Sequence, residues 1–355
     1  LLVAALGGAM ILPMFADVLM GDDNWQAFAL SGFLTVVAGL TCALACRPSR
    51  TQGLTIQQTF LLTVALWLLL PVFGALPFML GAPHVSFTDG FFEAMSGLTT
   101  TGSTVFVGLD HMPKGTLLWR GLLQWLGGVG IVVVAMAFLP ALRVGGMQLF
   151  RSEAFDTFGK ILPRAAEIAA SISWIYLALT VACIASYAAD GLSLFDATVH
   201  AMTTISTGGF ANYDASLGHF ESNVEYVASV FMILASLPFV RYVQFVAGTA
   251  KPLLRDPQVQ GYLLVITTLS LVLTVYRLFT SEVGFEESFR EALFNTISII
   301  SGTGYASVDY TQWGAFSVAV FFIMGLIGGC AGSTSCSIKI FRYQIVLAAI
   351  SSQIK

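Results

Sequence analysis

Charge is what this chain of 355 residues has least of: Asp, Glu, Lys and Arg make up 10% of it, while 56% is hydrophobic. Ordinary soluble domains carry about 25% charged residues, so a water-soluble globule is excluded and the chain belongs in a bilayer. Groups for catalysis and metal binding are equally scarce. The 4 histidines are scattered, and none stands at a metal-ligand spacing from any of the 5 cysteines. Cys42, Cys46, Cys183, Cys330 and Cys336 all fall in or beside apolar stretches, where a thiol packs as a small hydrophobe. No serine nucleophile with a membrane histidine, and no pair of acids in facing helices, marks an intramembrane enzyme. There is no glycine-rich loop between a strand and a helix to cradle a nucleotide, so no cofactor is expected. The first residue is Leu and no cleavable leader precedes it, which reads as a piece of a longer product.

What is present is apolar length. A helix needs about 20 apolar residues to cross roughly 30 Å of hydrocarbon, and such stretches fall near 1–20, 26–46, 55–80, 115–140, 168–189, 222–247, 259–279 and 313–346. With residue 1 inside the cell, the inner segments hold Arg47, Arg50, Arg143, Arg151, Lys160, Arg164, Arg241, Lys251, Arg255, Lys339, Arg342 and Lys355. That is twelve of the 16 bases, leaving 16 − 12 = 4 outside, and the positive-inside rule selects this orientation. Of the 20 acids only Glu153, Asp156, Glu167 and Asp256 lie inside, so 20 − 4 = 16 face out. Such a face concentrates cations if it lines a mouth; otherwise it is a solvated rim.

One phrase of 17 residues occurs three times: SFTDGFFEAMSGLTTTG from Ser86, SLFDATVHAMTTISTGG from Ser193 and SFREALFNTISIISGTG from Ser288. Each begins with Ser, has an acid fourth (Asp89, Asp196, Glu291), a hydroxyl three residues before the end (Thr99, Ser206, Ser301) and a final Gly. Repetition at this spacing defines units of about a hundred residues. Ser with an acid three residues later is an N-terminal helix cap, and about twelve helical residues reach about 18 Å, half of a bilayer. The expectation is a re-entrant helix running inward from the outer face, with its partially negative carbonyl end at mid-membrane. Beyond it come Thr99, Thr100, Thr101 and Gly102; Ser206, Thr207, Gly208 and Gly209; Ser301, Gly302, Thr303 and Gly304. Irregular backbone at membrane depth is tolerated only where it is buried or lines a wet path, and converging carbonyls can replace the water shell of a cation. Short outer loops rich in turn residues are the plainer reading of any single copy.

Helix, re-entrant helix, filter and helix, repeated in one chain, resembles the Trk/Ktr/HKT cation uptake superfamily. GLTTTGST at 97–104, QWLGGVGIVV at 124–133, VGGMQLFR at 144–151 and GGCAGSTS at 328–335 look like the bacterial Trk-type branch. The resemblance implies an all-α polytopic membrane protein of the bacterial inner membrane, taking up potassium through a channel-like, pseudo-fourfold pore. It makes Gly102, Gly209 and Gly304 the selectivity glycines, with Gly at 102 arguing for potassium over sodium. It implies a homodimer with a cytosolic nucleotide-binding ring of the TrkA kind beneath, received by basic segments Arg143–Arg164 and Lys251–Arg255; anchoring to anionic lipid explains those charges equally well. The expected division is an extra helix pair at 1–50, pore repeats at 51–145, 146–250 and 251–355, and a fourth repeat not present in this sequence. An uptake system coupled to protons or sodium is the alternative function, although inverted repeats need an odd number of spans per unit.

GGCAGSTS is too close to Gly304 to be another filter. It lies in a stretch from Trp313 to Val346 that is too long for one straight span, so a break is expected there. By the resemblance this break is an intramembrane gating loop, which makes Gly328, Gly329, Cys330, Ala331, Gly332, Ser333 and Thr334 gate candidates; a small-residue packing site is the alternative. Gly127, Gly128 and Gly130 are expected to serve close helix packing. Arg120 needs a partner in lipid, and Glu93 is the candidate. Glu93, His200 and Asn295 share one column of the repeat and are placed to bond filter backbone.

Overall fold

The computed structural model describes residues 1–45, 56–137, 165–220, 223–249 and 251–354. VGGMQLFR, the basic segment Arg143–Arg164 and Cys46 lie outside the described residues. Helices α1 (Leu2–Ala9) and α2 (Ile11–Met20) form one span that packs on α3 (Trp25–Ala45). This pair is tied to the rest of the molecule by Asp17, whose buried carboxylate accepts from Asn24 Nδ2 at 2.8 Å and from the backbone N–H of Gly115. The second bond falls in the first turn of the helix Lys114–Ala137, where the unpaired N–H groups of a helix favour a carboxylate.

The three units follow in order. The first is α4 (Ile56–Gly74) with α5 (Leu76–Leu80), α6 (Phe87–Leu98) and α7 (Lys114–Ala137). The second is α8 (Ala165–Ala189), α9 (Leu194–Ile205), α10 (Val224–Ala235) and α11 (Phe239–Val246). The third is α12 (Pro257–Thr280), α13 (Phe285–Ser301), α14 (Ala315–Met324) and α15 (Ile340–Ile354). Two residues of parallel strand, β1 (Ile327–Gly328) and β2 (Ile338–Lys339), interrupt the third unit.

Five of the expected spans are long apolar helices: Leu2–Met20, Trp25–Ala45, Phe60–Leu80, Ala169–Ala189 and Pro257–Thr280. A sixth, expected at 115–140, is helical as α7, 24 residues long, with Lys114, Arg120 and Gln124 in its first half. The other two depart from a single straight helix. The stretch 222–247, expected as one span, is bent by 88° between α10 and α11. Pro238 stands at the bend, and a proline cannot supply the N–H that a continuing helix requires. The stretch 313–346 is broken as expected, with helix ending at Met324 and resuming at Ile340.

The predicted caps hold in two units. Ser86 accepts from the N–H of Asp89 at 3.2 Å and Ser193 from that of Asp196 at 3.1 Å, opening helices of 12 residues each. The third helix begins earlier, at Phe285, with Glu286 and Glu287 in its first turn. Ser288 is therefore buried inside it rather than capping it, and its hydroxyl has no partner. Glu291, the acid of this copy, pairs instead with Arg277 of α12.

Candidate functional site

The three tails share a backbone conformation as well as a sequence pattern. Directly after the hydroxyl column, Thr100, Thr207 and Gly302 have φ of 54°, 51° and 78°; two residues on, Gly102, Gly209 and Gly304 have φ of 79°, 78° and 84°. Left-handed backbone is rare for a β-branched residue and costs about 1–3 kcal/mol, so Thr100 and Thr207 are strained in matching places. The strain is held by bonds to each helix's own last turn: Thr101 N–H to the Ser96 carbonyl at 2.9 Å, Gly208 N–H to Thr203 at 2.9 Å, and Gly304 N–H to Ser298 at 3.2 Å. Ser96, Thr203 and Ser298 are the same column of the phrase. Hydroxyl bridges tighten two of the tails, Thr99 to Thr101 at 2.8 Å and Ser301 to Thr303 at 2.7 Å.

The tails meet one another. A Cβ added at Gly102 would strike the Gly208 carbonyl oxygen and lie 3.6 Å from that of Thr303, and one at Gly209 would strike the Thr303 carbonyl. At Gly304 it would meet nothing within 4 Å among the described residues. The second tail is enclosed, with Ser206, Thr207 and Gly208 buried, whereas Thr99, Thr101 and Gly304 are exposed. The arrangement is an arc, first against second against third, open between Gly304 and Thr99.

Side chains brace this arc from behind. Gln124 of α7 donates to the Gly208 carbonyl at 2.7 Å and accepts from the Phe210 N–H at 3.0 Å. Arg120, one turn earlier, pairs with Glu93 at 2.8 Å, both fully buried, and donates to the Ala211 carbonyl at 2.8 Å. Its guanidinium also lies 4.2 Å from the centre of the Phe210 ring. The expected Glu93–Arg120 pair therefore links the first unit to the second tail. Tyr305, following the third glycine, reaches back to the second helix through Thr203, Thr204 and the His200 carbonyl. Gln124 opens the QWLGGVGIVV run, but nothing in the sequence at Gln124 or Tyr305 points to these partners.

Close packing accounts for two of the three α7 glycines. A Cβ at Gly127 would strike the Leu98 backbone, and one at Gly128 would sit 2.6 Å from the Tyr176 hydroxyl and 2.8 Å from Ser206. At Gly130 a Cβ would meet nothing within 4 Å among the described residues. The cysteine expectation is corrected: Cys183 and Cys330 are buried, but Cys42 and Cys336 are exposed.

Below the arc lies the break in the third unit. Gly328, Gly329, Cys330, Ala331, Gly332, Ser333 and Thr334 form an irregular loop whose polar atoms bond the bend between α10 and α11. Cys330 N–H donates to the Ser236 carbonyl at 3.0 Å, and Phe239 N–H to the Gly332 carbonyl at 2.9 Å. The Thr334 hydroxyl lies within hydrogen-bond distance of the Ala235 carbonyl, 3.0 Å away, and of the Ile205 carbonyl, 3.2 Å away, at the end of the second re-entrant helix. Ala331 N–H donates to Gln258 at 3.0 Å. A bend and a break each free backbone groups that a membrane does not hydrate, and here each satisfies the other. A Cβ on Gly302 would strike the Cys336 sulfur, which places the chain just after this loop against the third tail.

Comparison with known proteins identifies the family and the fold. Residues 24–355 match the family model TrkH, described as a cation transport protein. The chain is 40% identical over 348 residues to the Trk system potassium uptake protein TrkI of Halomonas elongata, covering 98% of this chain and 70% of that one. It is 35% identical over 368 residues to Trk system potassium uptake protein TrkH of Escherichia coli K12, covering 100% of this chain and 74% of that one. The crystal structure of the potassium transporter TrkH from Vibrio parahaemolyticus superposes with a TM-score of 0.89 at 33% identity, over 99% of this chain and 74% of that one. The chain is a helical membrane protein and a transporter rather than an enzyme, and it belongs to the TrkH family of cation transport proteins.

Proposed function

We propose that this chain takes up potassium across the bacterial inner membrane through a pore whose filter is the arc of carbonyls at residues 99–102, 206–209 and 301–304. The observation that carries this reading is the meeting of three tails with matching left-handed positions, Gly102 against Gly208 and Gly209 against Thr303. Each tail is delivered by the carbonyl end of a short helix, whose partial negative charge favours a cation, and carbonyl oxygens replace the water shell the ion leaves behind. Potassium is the cation named for the relatives. The units at 51–145, 146–250 and 251–355 make three sides, and a fourth segment of the same kind would close the open arc. The loop at residues 328–334 acts as the gate: Cys336, just beyond it, lies against Gly302, and the loop is fastened to the α10–α11 bend by bonds that an opening motion has to release. The relatives are named as parts of a Trk system, and a homodimer above a nucleotide-binding cytosolic ring is the assembly this reading carries.

Purified protein in proteoliposomes tests it. Rubidium uptake without an imposed proton or sodium gradient is expected of a pore, and strict dependence on such a gradient favours a coupled carrier. Gly102→Ser puts a side chain into left-handed backbone and against the Gly208 carbonyl. We expect it to lower the potassium-over-sodium preference about tenfold, from about 1–2 kcal/mol of strain passed to the filter. Unchanged preference in well-folded protein would remove Gly102 from the filter.

A further inference from the structure

Behind each tail, one column of the phrase performs the same bond with three different side chains. Glu93 accepts from the backbone N–H of Val105 at 3.1 Å, His200 Nε2 from that of Asn212 at 3.3 Å, and Asn295 Oδ1 from that of Ser307 at 3.4 Å. Each donor is the third residue after the closing glycine, since 105 − 102, 212 − 209 and 307 − 304 are all 3. In the second and third units the same side chain also holds its own helix: His200 Nδ1 and Asn295 Nδ2 lie 2.8 Å from the carbonyls of Asp196 and Glu291, four residues back. All three column residues are fully buried.

We propose that Glu93, His200 and Asn295 are positioning residues that set ion selectivity by clasping the outer end of each filter segment, and that His200 does so as a neutral imidazole. The proposal rests on the filter reading given above and deepens it. A tail fixed only at its helix end would be free to splay at the selectivity glycine, because glycine imposes no side-chain restraint of its own. The clasp fixes the far end, so the glycine between is held at both sides. For His200 the network determines the tautomer: Nδ1 carries the proton given to the Asp196 carbonyl, which leaves Nε2 bare to accept. The remaining neighbours leave that arrangement in place. The Tyr213 ring lies parallel at 6.4 Å, Phe220 edge-on at 5.3 Å and the Tyr305 ring at 6.3 Å. The Asp196 carboxylate is turned to Ser193, Asn212 and Tyr213 rather than to the imidazole.

The repeat supplies its own conservative variant. His200→Asn keeps an acceptor and a donor of the kind the third unit uses, whereas His200→Leu keeps bulk and removes both. In proteoliposomes we expect His200→Asn to retain the wild-type potassium-over-sodium preference within about twofold, and His200→Leu to lower it about fivefold to tenfold. Should His200→Leu fail to reach the membrane, Asn295→His against Asn295→Leu makes the same comparison in the third unit. Wild-type preference in the leucine variant, or equal loss in the asparagine and leucine variants, overturns the proposal. Gly102→Ser is run alongside: if it shifts selectivity while the His200 variants do not, the clasp fails and the filter stands. If Gly102→Ser has no effect either, the filter reading falls and takes the clasp with it.

Discussion

At the scale of single residues, the three tails are braced by a small set of buried polar side chains that bond to backbone. Glu93 and Arg120 illustrate it: their pair is fully buried, and each also bonds backbone or hydroxyl groups at the ends of two tails. Removing one partner of a buried ion pair costs about 3–5 kcal/mol, because the other charge stays behind unpaired. Glu93→Gln is thus expected to lower the thermal midpoint of detergent-solubilised protein by many degrees, and Glu93→Gln combined with Arg120→Met to recover part of the loss. An unshifted midpoint for the single variant would show that the pair is not needed to hold the tails. The pairing was legible in the sequence, because an arginine inside an apolar span demands an acid and Glu93 stands at matching depth. The Gln124 bonds to Gly208 and Phe210 were not legible, since an amide in a helix points to no particular partner across 84 residues of chain.

Among the elements, the bend and the break depend on each other. Sequence length alone required a break in 313–346, and its glycines showed where. The 88° bend in 222–247 was hidden by continuous apolar composition, although Pro238 stood within it. Its role depends on the loop that docks there, a contact between units that no local pattern encodes. Pro238→Ala restores the missing N–H and lets α10 run on toward α11. A straight helix would claim the Ala235 carbonyl from Thr334 and the Phe239 N–H from Gly332. The loop would lose its fastening, and basal rubidium flux is expected to rise severalfold. Deleting residues 328–334 should raise it further; a fall in flux with the fold intact would contradict a gate at this place. The third re-entrant helix teaches the same lesson in reverse. Its Ser288 matched the cap column, but Glu286 and Glu287 support an earlier start, so a helix terminus followed the acids rather than the repeat.

Over the whole molecule, the excess of acids on the outer side is partly consumed by structure. Glu93, Glu225 and Glu291 pair with Arg120, Arg290 and Arg277, Asp17 caps α7 and buried Asp196 is bonded to Ser193, Asn212 and Tyr213, so at least five of these acids are internal ties. The exposed remainder includes Asp309, whose carboxyl is held below its usual range by hydrogen bonds from Thr311 and Gln312, and so stays ionised as the medium is acidified. If these charges steer cations, neutralising Asp22, Asp23 and Asp309 together should raise the half-saturating rubidium concentration about twofold at low ionic strength, and this difference should vanish at high salt. Equal half-saturation at low salt would leave them as a solvated rim. The three short helices and their tails were legible because the phrase repeats in register. The arc they form was not, because it depends on how the units turn toward one another. On the reading proposed above, the ion sits where the tails meet. Thallium scatters anomalously and substitutes for potassium, so a crystal soaked in thallium locates the ion. An anomalous peak is expected on the axis within coordination distance of the carbonyls of Gly208 and Thr303, weakened by Gly102→Ser; ordered tails with no peak there, or a peak only outside the arc, would contradict an ion site at the arc.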